Sequence, residues 1–173
     1  MKWIIRILAG LLAFLLGLIA IVRLTTKYHT AEDLENLFLE DQEAFCEAKN
    51  VLLDMRSKHP VGITISSDNF YAQFPESHRH VVQIGSLFFT SSVDCYSQQE
   101  YNVMYKAVAP LFLQHDLDSI AINTKAIVFC ASLSYGVECD IIYRVDGDQP
   151  VVFWTIEDQV DIGDGWYAII STD

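Results

Sequence analysis

The chain has 173 residues, 51% of them hydrophobic, with 11 Lys and Arg against 23 Asp and Glu. That length holds one globular domain and excludes two, because domains commonly run to about 100 to 150 residues. From Tyr28 onward 7 basic residues face 23 acidic ones, a net of −16, and without a cluster of Lys and Arg to neutralise phosphates, nucleic acid is excluded as a ligand.

The first predicted element is apolar. Trp3 to Val22 is a run of 20 residues interrupted only by Arg6, and it is flanked by Lys2 on one side and by Arg23 and Lys27 on the other. As a helix it would span roughly 30 Å, the hydrocarbon thickness of a bilayer. Ala20 to Val22 and His29 to Ala31 are poor cleavage sites for a secretory signal, so the expectation is an uncleaved signal-anchor. Residues 1–27 would then form a transmembrane anchor with basic flanks and residues 28–173 an acidic α+β globular domain. The basic flanks are nearly balanced, and a short N-terminal tail favours keeping that tail inside. The expected address is the cell membrane, single-pass, with the C-terminal domain extracytoplasmic. Ala9, Ala13 and Gly17 recur every fourth residue, a small-residue stripe through which membrane helices associate, so a homodimer through this helix is one expectation. The acidic domain would be repelled by anionic lipid and stand off the bilayer.

Thr30-Ala-Glu-Asp33 resembles a capping box, and the helix it opens carries Leu34, Phe38, Phe45, Ala48, Leu52 and Met55 on one face. Asp41 is the one interruption of that stripe, and Lys58-His59-Pro60 ends the helix. Gly62 to Ser66 alternates as a strand does, and His80 to Ile84 with Leu87 to Phe89 adds one or two more. Ser97-Gln-Gln-Glu100 is a second capping box, opening a helix that buries Tyr101, Met104, Val108 and Leu111 and that Pro110 should kink or restart.

The last third reads as strand and turn. Ala126 to Leu133 and Val137 to Val145 form a predicted hairpin across Ser134-Tyr135-Gly136, with Gly136 left-handed. Its expected register sets Leu133 opposite Val137, Ala131 opposite Cys139, Phe129 opposite Ile141 and Ile127 opposite Tyr143, an apolar face; the other face carries Ser132 with Glu138 and Cys130 with Asp140. Asp146-Gly147 marks a turn before a strand from Val151 to Ile156, and Gly163-Asp-Gly165 precedes a final strand from Trp166 to Ile170. The expected architecture is thus an N-terminal transmembrane helix followed by a small domain of two main helices packed on one face of a mostly antiparallel sheet of about five or six strands.

Chemical signatures are sparse. Cys46, Cys95, Cys130 and Cys139 show no CxxC spacing, and the register puts Cys130 and Cys139 on opposite faces, which argues for buried free thiols over a disulfide. His78-Arg-His80 is the best metal candidate: residues two apart share a strand face, and Glu76 could add a carboxylate. The acidic stretches Asp146 to Asp148 and Asp158 to Asp164 lack the ordered spacing of an EF-hand loop. No GxSxG, HExxH, Walker or GxGxxG pattern occurs, so no catalytic residue and no cofactor is nominated.

Ile141-Ile-Tyr-Arg-Val-Asp-Gly-Asp-Gln-Pro150, ending in Gly165-Trp-Tyr167, resembles stretches of uncharacterised small single-span bacterial membrane proteins over roughly the last 45 residues. The resemblance implies no activity. Absence of a chemical signature together with strong negative charge leads to the expectation of a non-catalytic, membrane-tethered interaction or accessory protein, such as an envelope complex subunit or a protective, immunity-type protein, meeting a basic protein partner. The alternatives are a tethered metal-dependent enzyme using His78 and His80, and a sensor that dimerises through its membrane helix.

Overall fold

The computed structural model describes residues 3, 7, 10–14, 17, 28, 30–73, 80–134, 136–145 and 155–172. Its centre is an open sheet of eight antiparallel strands. In chain order the elements are α1 (Ala31–Glu40), α2 (Gln42–Lys58), β1 (Ile63–Ser67), α3 (Asp68–Gln73), β2 (His80–Ile84), β3 (Leu87–Ser91), α4 (Gln98–His115), β4 (Ser119–Ile122), β5 (Ala126–Ser134), β6 (Val137–Arg144), β7 (Thr155–Gly163) and β8 (Trp166–Thr172). Across the sheet the strands run β2-β3-β1-β4-β5-β6-β8-β7, which makes β2 and β7 the edges.

The fold is α+β, but the expected transmembrane helix is not among the elements of the described residues. No helix of the described residues is long and apolar enough to cross a membrane. Within the expected span, Trp3, Ile7, residues 10–14 and Gly17 are helical and exposed, and the other positions lie outside the described residues. The longest described helix, α4, has 18 residues but carries Glu100, Lys106 and Pro110, and it buries its apolar face on the protein's own sheet. The single-span architecture is therefore corrected to an eight-stranded sheet dressed with helices. Ala9 of the small-residue stripe lies outside the described residues, while Ala13 and Gly17 are exposed.

The strand count exceeds the expected five or six because short strands, such as the four-residue β4, alternate too briefly to register as separate elements. The first predicted helix is two. Asp41 ends α1 and begins α2 with φ −136° and ψ 42°, and its carboxylate accepts a hydrogen bond from His115 Nε2 at 3.1 Å. The single polar position in the apolar stripe thus turns inward to a partner on α4 at the point where the helix breaks. Pro110, in contrast, leaves α4 continuous from Gln98 to His115. The donor it lacks would have served the carbonyl of Lys106, a residue on the exposed side of the helix.

Both capping boxes form. Thr30 accepts from Asp33 N and Asp33 from Thr30 N, and the same reciprocal pair joins Ser97 and Glu100. Leu34, Phe38, Phe45, Ala48, Leu52 and Met55 are all buried, and they meet Ile65, Phe89, Ile120, Phe129, Ile141 and Trp166 from one face of the sheet. An aromatic cluster sits at the centre: Phe45 lies 5.3 Å from Phe129 and 5.5 Å from Phe38, and Phe38 lies 4.7 Å from Trp166 between ring centroids. The short α3 stands on the other face, where Tyr71 stacks on Phe88 at 4.3 Å; Phe88 projects opposite to its buried neighbours Leu87 and Phe89. Helices therefore occupy both faces, not one.

The β5–β6 hairpin keeps half of its expected register. Ile127 opposes Tyr143, Phe129 opposes Ile141 and Cys130 opposes Asp140; then a bulge between Cys130 and Ser132 shifts the upper pairs to Ser132 with Cys139, Leu133 with Glu138 and Ser134 with Val137. The connection shortens to two residues, and Gly136 takes φ 78°. The final hairpin turns at Asp164 and Gly165, both at positive φ, as a two-residue turn between twisted strands requires. The stretch from Asp158 to Asp164, expected as an acidic loop, belongs up to Gly163 to edge strand β7. Residues 146–154, including the Asp146-Gly-Asp148 turn and most of the expected strand from Val151, lie outside the described residues.

Candidate functional site

Two features of this framework carry chemistry: a buried polar triangle on the sheet face that α3 shares, and an anionic outer edge. The triangle is built by the β5–β6 ladder. Cys130 and Asp140 are direct cross-strand partners, and Glu138, two residues before Asp140, projects from the same face. The Cys130 sulfur and one carboxylate oxygen from each acid lie within 4.8 Å of one another. Cys130 is 4% exposed and Asp140 2%, whereas Glu138 is half-buried and forms the rim.

The electrostatics follow from that burial. Removal from water pushes the Asp140 carboxyl well above the usual carboxylate range, the Glu138 charge adds to the effect, and a hydrogen bond from the Cys130 thiol opposes it. The Cys130 thiol is raised well above its ordinary value by burial and then by the charges of Asp140, Glu138 and Asp118. Asp140 Oδ1 is buried with no hydrogen-bond partner among the described residues, and the Ser171 hydroxyl is in the same condition. Ser171 stands directly opposite Glu138 in the β6–β8 ladder, which places it on the same face as Asp140 and diagonal to it. Beside it, Asp118 Oδ2 accepts from Leu133 N at 2.7 Å and holds the chain just past the bulge. Just below the triangle, Ala126, Ile142 and Ile169 form a small apolar cluster on the same face.

The other cysteines are separate. All four are free thiols. Cys139 points into the helix-covered core, where burial, followed by the charges of Asp140, Glu138 and Asp118, pushes its thiol to about 12. It is held as a neutral thiol and is a poor nucleophile. Cys95 is raised by burial and then by Asp94 and Glu100.

The histidine pair does not assemble a site among the described residues. His80 is exposed at the start of edge strand β2, and both His78 and Glu76 lie outside the described residues.

The anionic edge runs along β7. Glu157, Asp158, Asp161 and Asp164 are exposed on the strand and its turn. Asp158 Oδ2 accepts from Ala31 N at 2.8 Å, which satisfies a first-turn amide of α1 and brings Glu32 and Asp33, both exposed, beside the strand. A separate groove at the α1–α2 break is lined by Glu40, Asp41, Gln114 and His115.

The chain matches no protein-family model, no curated protein and no solved structure.

The hairpin pattern alone sets Cys130 opposite Asp140 with Glu138 on the same face, so the juxtaposition is readable from sequence. It gives no sign that Asp140 is buried, because the alternation of polar residues there is what a solvent-facing strand also shows.

Proposed function

We propose that this domain works by association, as a non-catalytic interaction or accessory module whose acidic surface engages a basic protein partner. The observation that supports this is the continuous exposed anionic edge formed by β7, its turn and the first turn of α1. Concentrated charge of one sign steers an oppositely charged partner and raises its association rate more than its final affinity. The same charges also guard a nine-residue edge strand against pairing with further copies of itself, helped by bulges at Ile156/Asp158 and Asp161/Gly163.

Cross-linking of the intact protein in its own cells tests the proposal, comparing the wild type with the double charge reversal Glu32→Lys and Glu157→Lys. Neither residue contributes to the buried core. The expected result is a basic partner whose cross-links map to β7 and α1, with capture reduced on the order of tenfold in the double variant and by raised salt. Cross-links that ignore both changes, or that map to the opposite edge at β2, would remove the proposal.

A further inference from the structure

We infer that Cys130, Glu138 and Asp140 form a binding site for one zinc ion on the sheet face opposite the main helices. The proposal is independent of the anionic edge, which lies along β7 and uses none of these residues.

Three donor atoms drawn from adjacent positions of one antiparallel ladder lie within 4.8 Å of one another. Tetrahedral zinc, with Zn–S near 2.3 Å and Zn–O near 2.0 Å, sets such atoms about 3.5 Å apart, a contraction that side-chain rotation supplies without moving the strands. Three protein ligands are the complement of an open zinc site, which leaves its fourth position to water.

Unsatisfied polar atoms at the same place call for a cation or a water. Asp140 Oδ1 is buried without a partner among the described residues, and so is Ser171 Oγ beside Glu138. Leaving one such group unpaired forfeits its hydration without replacement, so native structures rarely retain it without an ion or water to complete it. A divalent cation bonded to Asp140, with a coordinated water reaching Ser171, satisfies both.

The donor set selects the metal. A thiolate favours zinc and other borderline-soft ions over magnesium and calcium, which prefer all-oxygen ligation. Coordination displaces the thiol proton of Cys130, which leaves to solvent. Glu138, half-buried at the rim, marks the side from which the ion enters. Neighbouring candidates are spoken for: Cys139 faces the opposite side of the sheet, and Asp118 is bonded to the Leu133 amide.

The test uses the full chain, stripped with a chelator and titrated with Co²⁺ as a visible surrogate. The expected result is saturation at one equivalent, with a thiolate-to-cobalt charge-transfer band and the intense visible bands of four-coordinate cobalt, both abolished by one equivalent of Zn²⁺. Cys130→Ser should eliminate the charge-transfer band, and Cys46→Ser should leave it. Asp140→Asn should weaken zinc binding at least about 100-fold, beyond what loss of a mere supporting hydrogen bond does. X-ray absorption of the zinc-loaded wild type should show one sulfur and two or three oxygens, and this readout stands even if the variants fail to fold. A wild type that gives no charge-transfer band, a band that survives Cys130→Ser in folded protein, or a zinc shell with no sulfur or with two would each overturn the proposal.

Discussion

Replacing Phe45 by Ala should unfold the protein more easily than any surface change, and the structure sets how much. The side chain is fully buried, with ring centroids of Phe129 at 5.3 Å, Phe38 at 5.5 Å, His115 at 6.0 Å and Trp166 at 6.4 Å. These neighbours come from β5, α1, α4 and β8, four elements that cannot all move inward to close the space. Phe→Ala in a core costs about 3 to 5 kcal/mol, and sites that resist collapse fall at the upper end, so about 4 to 5 kcal/mol is expected. Against a total stability of about 5 to 15 kcal/mol this is a large fraction. Urea unfolding followed by circular dichroism reads it as a lower midpoint at an unchanged slope. Leu113→Ala is the control, since Leu113 is 77% exposed on α4 and its loss should stay within about 0.5 kcal/mol. A Phe45→Ala loss below about 1.5 kcal/mol would mean that α1 and α2 do not cover the sheet as described, and the account of the core would fall with it.

Two further outcomes follow from single positions. Gly85 turns β2 into β3 at φ 60°, and a Cβ there would lie 2.5 Å from the Tyr105 hydroxyl, so Gly85→Ala should lower stability by roughly 1 to 2 kcal/mol through the dihedral alone, with the steric clash adding to it. An unaltered melting temperature would contradict the placement of that turn beneath α4. Glu100 is held down to about 2 by the Ser97 amide, then by His59, which lies 2.9 Å away, and then by the Ser97 hydroxyl. Because the folded value lies below the ordinary 4.5, its contribution is complete above about pH 4.5 and is lost as the pH falls from there through about 2. Glu100→Gln should therefore flatten the acid limb of a stability-against-pH curve in that window while leaving its shape near neutrality; an acid limb identical to the wild type would show that the capping pair does not couple to folding.

Much of the framework is local and can be read from residues alone. The capping boxes at Thr30 and Ser97 depend on side chains three residues apart, and the apolar stripe from Leu34 to Met55 depends on helical periodicity; neither needs knowledge of the rest of the chain. The lower half of the β5–β6 register is equally local. What escapes such reading is whatever one segment does to another. Asp41 is visible as a polar break in the stripe, but only the approach of His115 from α4 gives its carboxylate a buried partner. The bulge after Cys130 is held from outside the hairpin, by Asp118 on the Leu133 amide, and so the one-residue shift above it has no signature within the hairpin sequence. The run from Trp3 to Val22 shows the opposite failure: composition suggests a membrane span, whereas no described helix has the length and apolarity to be one.

Periodicity, caps and turns, then, were set by the amino-acid order of this protein, since each arises within a few residues of backbone. Strand order, the presence of helices on both faces and the burial of Asp140 were decided by tertiary structure. The physical reason is that burial belongs to a surface once another element has come to lie on it; a polar alternation looks the same along the strand whether water or protein will cover it.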